Sequence, residues 1–154
     1  MRTFSLKSSA DDLDLAVMVS EPSGQEPKAI VQICHGMCEH KERYIPFMEY
    51  LSSNGYICVI HDHRGHGQSV KSPEDLGYMY DGGWQALVAD VKVVTDWIRS
   101  TYGSALKLFL FGHSMGSMVV RSYAKRWDSL LDGLYVCGSP SWNPASSVGR
   151  LLAK

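Results

Sequence analysis

The chain has 154 residues, 45% of them hydrophobic, so a single domain with a sizeable core is expected. Fifteen basic and sixteen acidic residues are interspersed and give a net charge of −1, which excludes the basic surface that nucleic-acid binding needs. The N-terminus has charged residues where a signal peptide has an apolar core, and no apolar run is long enough to span a bilayer. We interpret the four cysteines as buried free thiols of a reducing compartment, which predicts a cytoplasmic protein.

Strand-like and helix-like segments alternate along the chain after an N-terminal hairpin. This order is typical of an α/β fold with a mostly parallel sheet. Apolar runs predict strands at 4–6, 13–19, 29–34, 56–61, 106–111 and 134–137. Helical spacing predicts helices at 44–53, 84–102 and 117–125, and a long loop covers 62–82. The first helix is predicted to bury Phe47, Tyr50 and Leu51.

Ser114 lies between a predicted strand and a predicted helix, in the sequence Gly112-His113-Ser114-Met115-Gly116. A nucleophilic serine at such a turn adopts a strained backbone, and glycines on both sides let the strand and the helix approach closely. Amides at the start of the helix can then stabilise a developing oxyanion. The alternative is a helix N-cap serine without a catalytic role.

Two further motifs also follow predicted strands. His35-Gly36-Met37 comes after strand 29–34, where an acyl-transfer hydrolase needs a second oxyanion N–H, and the His-Gly pair presents the amide of Met37. The polar segment 62–69 comes after strand 56–61 and is predicted to be a rigid loop at the carboxyl end of the sheet, where ligands bind in such folds. Each motif alone has an ordinary structural explanation, but their order favours an active site.

With these motifs the chain resembles the α/β-hydrolase superfamily, and within it the monoacylglycerol lipases, lysophospholipases and related serine hydrolases. The resemblance extends from about Thr3 to Pro144. Besides the three motifs it rests on Glu39, His40, Arg43 and Tyr44. Cys38 departs from the family, which usually has a smaller residue at this position.

The resemblance implies an α/β-hydrolase fold and a carboxylic ester substrate, of acylglycerol or lysophospholipid type, cleaved without a cofactor. Ser114 would be the nucleophile, and the amides of Met37 and Met115 would form the oxyanion hole. Gly112 and Gly116, together with His35 and Gly36, would shape the turns that carry these groups.

A general base for Ser114 is missing from the chain. In this fold the triad follows the order Ser, Asp or Glu, then His, and no histidine comes after Ser114. His113 is expected to point away from its neighbour at the turn. Asp128 and Asp132 come too early to orient a later histidine and are expected to be solvated. The nucleophile and the oxyanion hole are therefore present without the group that activates the hydroxyl.

The length fits an incomplete domain. A full α/β hydrolase needs two more strands with their helices and commonly has a lid after the sixth strand, about where the Pro/Ser/Gly-rich stretch 138–145 lies. We therefore expect residues 1–154 to be the N-terminal part of one domain, truncated after the sixth strand, with doubtful activity and possible self-association through the exposed sheet edge. The alternative is a non-catalytic fragment or binding protein that keeps the hydrolase fold.

The chain has two groups of potential metal ligands. Segment 34–40 holds two cysteines and two histidines, but Cys34 and His35 are neighbours and would point to opposite sides of a strand. Segment 61–66 matches part of the His-x-His-x-Asp-His pattern of metallo-β-lactamase-like hydrolases, with Gly65 in place of the metal-binding Asp. The sequence therefore predicts no metal site.

Overall fold

The computed structural model describes residues 1–140, so the part of the Pro/Ser/Gly-rich stretch after residue 140 lies outside the described residues. Six strands are described: β1 (Arg2–Lys7), β2 (Asp14–Ser20), β3 (Ala29–Cys34), β4 (Tyr56–His61), β5 (Leu108–His113) and β6 (Gly133–Cys137). Three helices connect the last four of them: α1 (Ile45–Ser53), α2 (Gly83–Tyr102) and α3 (Met115–Trp127). Short 3-10 turns lie at Lys41–Tyr44, Pro73–Asp75 and Asp128–Leu130.

The strands form one sheet in the order β1-β2-β4-β3-β5-β6. The first two make an antiparallel hairpin, β2 also pairs antiparallel with β4, and the remaining pairs are parallel. This confirms the predicted α/β fold with a mostly parallel sheet and an N-terminal hairpin. Because β3, β4 and β5 run in parallel, the three motifs that follow them meet at one edge of the sheet.

Helices cover both faces of the sheet. On one face, α2 buries Val94 and Ile98 against β2 to β5, and α3 buries Val119 and Tyr123 beside them. On the other face, α1 places Met48 in a cluster with residues of β2, β3 and β4. Each fully buried aliphatic side chain contributes about 1.5–3 kcal/mol by leaving water, and these clusters fix the strands that carry the site.

The predicted apolar face of α1 is correct for Leu51, which packs against the apolar cluster of the sheet, and wrong for Phe47 and Tyr50. The helix buries Met48 and Ser52, whereas the side chain of Tyr50 is 64% exposed and Phe47 also reaches the surface. The reason is that Met48 meets the apolar cluster of the sheet, while the Ser20 and Ser52 hydroxyls pair at 3.0 Å. A buried serine with a partner satisfies its hydrogen bond, so a polar residue shares the inner face of this helix with apolar ones.

The predicted strand 106–111 lies two residues too early. Strand β5 extends through Gly112 and His113 because neighbours on both sides pair with these residues: Cys34 of β3 with Gly112, and Cys137 of β6 with His113. Similarly, α3 starts at Met115, immediately after Ser114. The change from strand to helix therefore takes place within a single residue.

The four cysteines are free, but only Cys34 and Cys58 are buried, so the prediction of buried thiols is wrong for Cys38 and Cys137. Burial raises the pKa of the Cys58 thiol to about 12. Cys137 is exposed because it lies in β6, whose residues are mostly open to solvent. In the part of the chain that the structure describes, the helices lack the length and the apolar character that a bilayer crossing requires.

Candidate active site

Ser114 occupies a strained turn between β5 and α3, with φ 52° and ψ −117°. This left-handed backbone is costly for a residue with a Cβ. It persists because both sides hold it: the Ser114 N–H donates to the Cys137 carbonyl at 2.9 Å, and the Ser114 carbonyl accepts from the Ser117 N–H at 3.0 Å. The side chain is thereby presented at the carboxyl edge of the sheet.

Gly112 and Gly116 are required by the close contact of strand and helix. A Cβ on Gly112 would lie 2.5 Å from the Gly116 carbonyl oxygen, and a Cβ on Gly116 would lie 2.2 Å from the Cys34 carbonyl oxygen. Both neighbours are backbone oxygens, so a change of side-chain rotamer cannot relieve the clash. Residues 112–116 thus have the sharp strand-to-helix turn that was predicted for them. We call this segment the nucleophile elbow.

The loop after β3, residues 35–40, lies directly against the elbow, and we call it the oxyanion loop. A Cβ on Gly36 would be 3.2 Å from Ser114 Cβ, so the backbone of the loop contacts the serine. Among the described residues, the N–H groups of Met37 and Met115 have no hydrogen-bond acceptor. Two unpaired donors on either side of a serine are able to bind an oxyanion.

His35 orients the peptide that carries the Met37 N–H. Its Nδ1–H donates to the Gly36 carbonyl at 2.7 Å, and its Nε2 accepts the backbone N–H of His63 at 2.9 Å. In a trans peptide the N–H points opposite to the C=O, so a fixed Gly36 carbonyl fixes the direction of the Met37 N–H. Acceptance by Nε2 requires the neutral ring with its proton on Nδ1. Burial provides it, because it lowers the pKa of His35 to about 4.

The segment 62–69 is held by buried ion pairs. Lys41 Nζ is 2.8 Å from Asp62 Oδ2, and Arg64 Nε is 2.7 Å from Asp90 Oδ2, with all four side chains fully buried. The Asp62 carboxylate also accepts the Lys41 backbone N–H at 2.6 Å. A buried pair is strongly destabilising to break and defines one geometry, so the predicted rigid polar loop is present and connects β4 to α2 and to the 3-10 turn that follows the oxyanion loop.

The histidine-rich motifs pack against each other instead of converging on one point. The ring centroids of His35 and His63 are 4.3 Å apart, and those of His61 and His63 are 5.0 Å apart. Both ring nitrogens of His61 are buried without a hydrogen-bond partner among residues 1–140. Over the same residues no three His, Cys, Asp or Glu side chains are arranged to hold a metal ion, and the expected absence of a metal stays a prediction.

None of the six histidines, all within the described residues, forms a hydrogen bond with Ser114. His113 directs Nδ1 to the hydroxyl of Tyr44 and to Glu39, each at 3.3 Å. Asp128 and Asp132 lie near the surface, and Asp132 accepts the Leu108 N–H at 2.8 Å. Within residues 1–140 the structure therefore brings Ser114 close to two unpaired N–H groups, and no histidine is bonded to the serine.

Two open grooves flank the oxyanion loop. One combines aromatic side chains with charged ones, and the other is lined mainly by glycines and apolar atoms, so each offers apolar surface beside a few polar groups. The first groove is lined by Glu39, Arg43, Tyr44, Phe47, Phe111 and His113. The second is lined by Cys38, Glu39, His40, Gly65, His66, Gly67, Leu76 and Gly77. Cys38 is exposed at the edge of this groove with φ 56°, a conformation that explains why a smaller residue suits the position.

Glu39 is the residue that the sequence pattern did not assign to a role. Its Oε2 accepts the Gly36 N–H at 2.7 Å and the Tyr44 hydroxyl at 2.8 Å, and it also lies 3.3 Å from His113 Nδ1. The spacing of three residues between Gly36 and Glu39 is the signal that could have indicated it, because a glutamate side chain returns to a backbone N–H over that distance in the capping box.

Comparisons with known proteins agree with this geometry. Residues 25–154 match the family described as Serine aminopeptidase, S33. The chain is 40% identical over 96 residues to a monoglyceride lipase homolog of Monkeypox virus, covering 60% of this chain and 32% of that protein. It is 36% identical over 99 residues to the monoglyceride lipase of Mus musculus, covering 64% of this chain and 30% of that protein.

Solved structures give the same fold. A highly thermostable carboxyl esterase from Bacillus coagulans, in complex with glycerol, superposes with a TM-score of 0.87 at 30% identity, covering 99% of this chain and 48% of that one. The chain thus spans about a third of the two curated relatives and about half of the esterase. By the family match, the elbow and the sheet that carries it, the chain belongs to the serine aminopeptidase S33 family of α/β-hydrolases.

Proposed function

We propose that this protein hydrolyses carboxylic esters and that Ser114 is its nucleophile. The observation that carries the proposal is the strained Ser114 backbone, with φ 52°, beside two unpaired N–H groups, those of Met37 and Met115. A helix N-cap serine needs neither feature, since it adopts an ordinary extended backbone and bonds an N–H of its own helix. No such capping bond is formed by Ser114.

The reaction follows from this arrangement. Ser114 Oγ attacks the acyl carbonyl, its proton passes to a base, and the negative charge that develops on the carbonyl oxygen is bound by the two N–H groups. Collapse of this intermediate releases the alcohol, and water then cleaves the acyl-enzyme to the carboxylic acid. Because no described histidine contacts Ser114, we propose that the base and its orienting carboxylate come from outside residues 1–140.

The substrate that we propose is a monoacylglycerol or a lysophospholipid. Support comes from the monoglyceride lipases among the relatives and from the apolar surface that Phe47 and Phe111 offer next to the elbow. An acyl chain buries apolar area at about 25 cal/mol per Å², so such a surface favours long-chain esters over small polar ones. The free state of the four cysteines fits a cytoplasmic location.

A base supplied in solution tests the nucleophile in the 154-residue chain itself. A fluorophosphonate probe is added with increasing imidazole, and the labelled residue is identified by peptide mass spectrometry. We expect slow labelling of Ser114 that rises about tenfold with imidazole, because a diffusing base replaces part of what a positioned one provides. The Ser114→Ala variant should not be labelled, whereas Ser122→Ala on α3 should behave like the wild type.

The rival function is that of a non-catalytic fragment or binding protein, and it is favoured by the lack of a base near Ser114. It predicts that Ser114 stays unlabelled at every imidazole concentration. Labelling that persists in Ser114→Ala would instead show that the nucleophile is a different residue. Strong labelling without imidazole would mean that a histidine of this chain does reach Ser114.

A further inference from the structure

We propose that Glu39 is a positioning residue that ties the oxyanion loop to the nucleophile elbow. This inference rests on the proposed function, because it assigns Glu39 a part in holding the oxyanion donors. The carboxylate has no contact with Ser114 itself. It acts through the backbone of Gly36 on one side and through His113 of the elbow on the other.

The contacts converge on one oxygen. Oε2 of Glu39 accepts the Gly36 N–H at 2.7 Å and the Tyr44 hydroxyl at 2.8 Å, and His113 Nδ1 lies 3.3 Å from it. The other oxygen is 3.2 Å from Arg43 Nε. Burial would raise the pKa of Glu39, but these donors, first of all the Gly36 N–H, outweigh it and lower the pKa, so the carboxylate is charged at neutral pH.

Gly36 is fixed at both ends of its backbone. Its N–H is held by Glu39, and its carbonyl is held by Nδ1–H of His35 at 2.7 Å. A Cβ on Gly36 would lie 2.9 Å from Glu39 Oε2 and 3.2 Å from Ser114 Cβ, so this residue is enclosed between the carboxylate and the serine. Because its N–H and its C=O are both bonded, Gly36 has little freedom to rotate, and its C=O belongs to the peptide that carries the Met37 N–H. Oε2 of Glu39 also links Gly36 to His113, the residue before Ser114.

The role is one of geometry and not of charge. A negative carboxylate this close to an oxyanion site opposes the charge that develops there, so its benefit must come from the acceptor that it provides. Glutamine keeps an acceptor oxygen at the same length and removes the charge. A positioning role therefore predicts that Glu39→Gln retains most of the function and that Glu39→Ala loses it, whereas a role of the charge predicts that both variants fail alike.

The kinetic test uses the imidazole-dependent labelling of Ser114 by the fluorophosphonate. We expect Glu39→Ala to lower the maximal labelling rate about tenfold with the half-saturating probe concentration unchanged, since loss of an oxyanion donor outright costs about 10²–10³. The rate of Glu39→Gln should stay within about threefold of the wild type. Glu49→Gln, which removes an exposed carboxylate from α1, is the matched control and should have no effect.

A second readout does not depend on labelling. The Gly36 amide proton, in a charge-assisted hydrogen bond, should resonate downfield in the NMR spectrum, move upfield in Glu39→Ala, and carry with it the amide signals of His113 and Ser114. If Gly36 and the elbow amides are unchanged in a folded Glu39→Ala, the inference is wrong. If the NMR shifts appear but no protein labels at Ser114, the proposed function fails while the structural tie stands.

Discussion

At the level of single residues, the backbone around Ser114 leaves no room for side chains. The Gly116 position faces two carbonyl oxygens of β3 and the oxyanion loop, at 2.2 and 2.5 Å from a Cβ placed there. Gly112 faces the backbone of Gly116 in turn. The elbow is positioned by the packing of α3 on the sheet. This packing therefore requires glycine at positions 112 and 116.

Replacing Gly116 by alanine is expected to destabilise the fold by about 2–3 kcal/mol, because the added methyl forces α3 away from β3. In an exposed helix the same change would stabilise by about 1 kcal/mol, so the sign separates packing from helix propensity. Urea unfolding at pH 7.5 measures the difference. Gly24→Ala is the control: a Cβ there meets nothing within 4 Å, and only its φ of 71° opposes the change. Equal stability of Gly116→Ala and the wild type would contradict the close contact.

His61 is expected to make the protein sensitive to acid. Burial, together with the nearby His35, lowers its pKa to about 3, whereas a histidine in the unfolded chain titrates near 6.5. Between these values the unfolded state binds the extra proton, so stability falls as the pH decreases from about 6.5. From pH 7.5 to 5.5 this single residue should remove about 1 kcal/mol.

The variant that tests this is His61→Phe, which keeps a ring and removes both unpartnered nitrogens. Its loss of unfolding free energy between pH 7.5 and 5.5 should be about 1 kcal/mol smaller than that of the wild type. The buried Ile60 of the same strand provides the control, since Ile60→Val changes core packing without a titratable group and should keep the wild-type difference. If His61→Phe shows the full acid sensitivity, His61 is not a buried neutral ring.

The sequence was sufficient to predict that Ser114 and the N–H groups of Met37 and Met115 lie close together, but it did not indicate the contacts of Glu39 or His63. Ser114, Met37 and Met115 lie in short motifs that are recognised from neighbouring residues alone, namely glycines at a turn and a strand before it. Glu39 is defined by contacts with His113, 74 positions away, and His63 by its N–H donation to His35, 28 positions away. Such partners are set by the pairing of strands, which a single sequence does not state.

At the level of elements, periodicity located the three helices and six strands but not all their ends and faces. The boundary of β5 depends on pairing with β3 and β6, so the apolar run alone placed it too early. The inner face of α1 is set by Met48 and by a buried Ser52, and an apolar pattern does not show a serine that finds a partner. These errors arise where tertiary contacts override local preference.

The loop 62–82 shows the same limit. Its polar sequence predicts a loop, and the first residues do form one. However, Arg64 is fully buried with Asp90 of α2, and its guanidinium also reaches Asp11 of the first hairpin at 3.1 Å. One side chain thereby connects three separate elements. A charged side chain in a loop is usually solvated, and only the fold shows that the Arg64 guanidinium is buried and joins these elements.

At the level of the whole molecule, the sheet has one edge strand that remains apolar and accessible. Among the described residues, β6 pairs only with β5, so its other edge presents free backbone groups. Its residues Leu134, Tyr135 and Val136 are exposed, and Tyr135 retains 58% of its accessible surface. By contrast, the hairpin edge at β1 alternates exposed with half-buried residues and carries Arg2 and Lys7 at its ends. Charged ends are typical of edges that do not self-associate.

We therefore predict that the 154-residue chain associates through β6 when it is expressed alone. Light scattering after size-exclusion chromatography should give a mass above that of one chain, and Tyr135→Lys should shift it towards the monomer, because a lysine opposes strand addition at an edge. Tyr50→Lys makes the same replacement at a tyrosine of α1 that is 64% exposed, and it should leave the mass unchanged. If Tyr50→Lys also dissolves the assembly, general surface hydrophobicity is responsible. A monodisperse monomer in the wild type would show that the edge of β6 is covered or that its exposure is harmless.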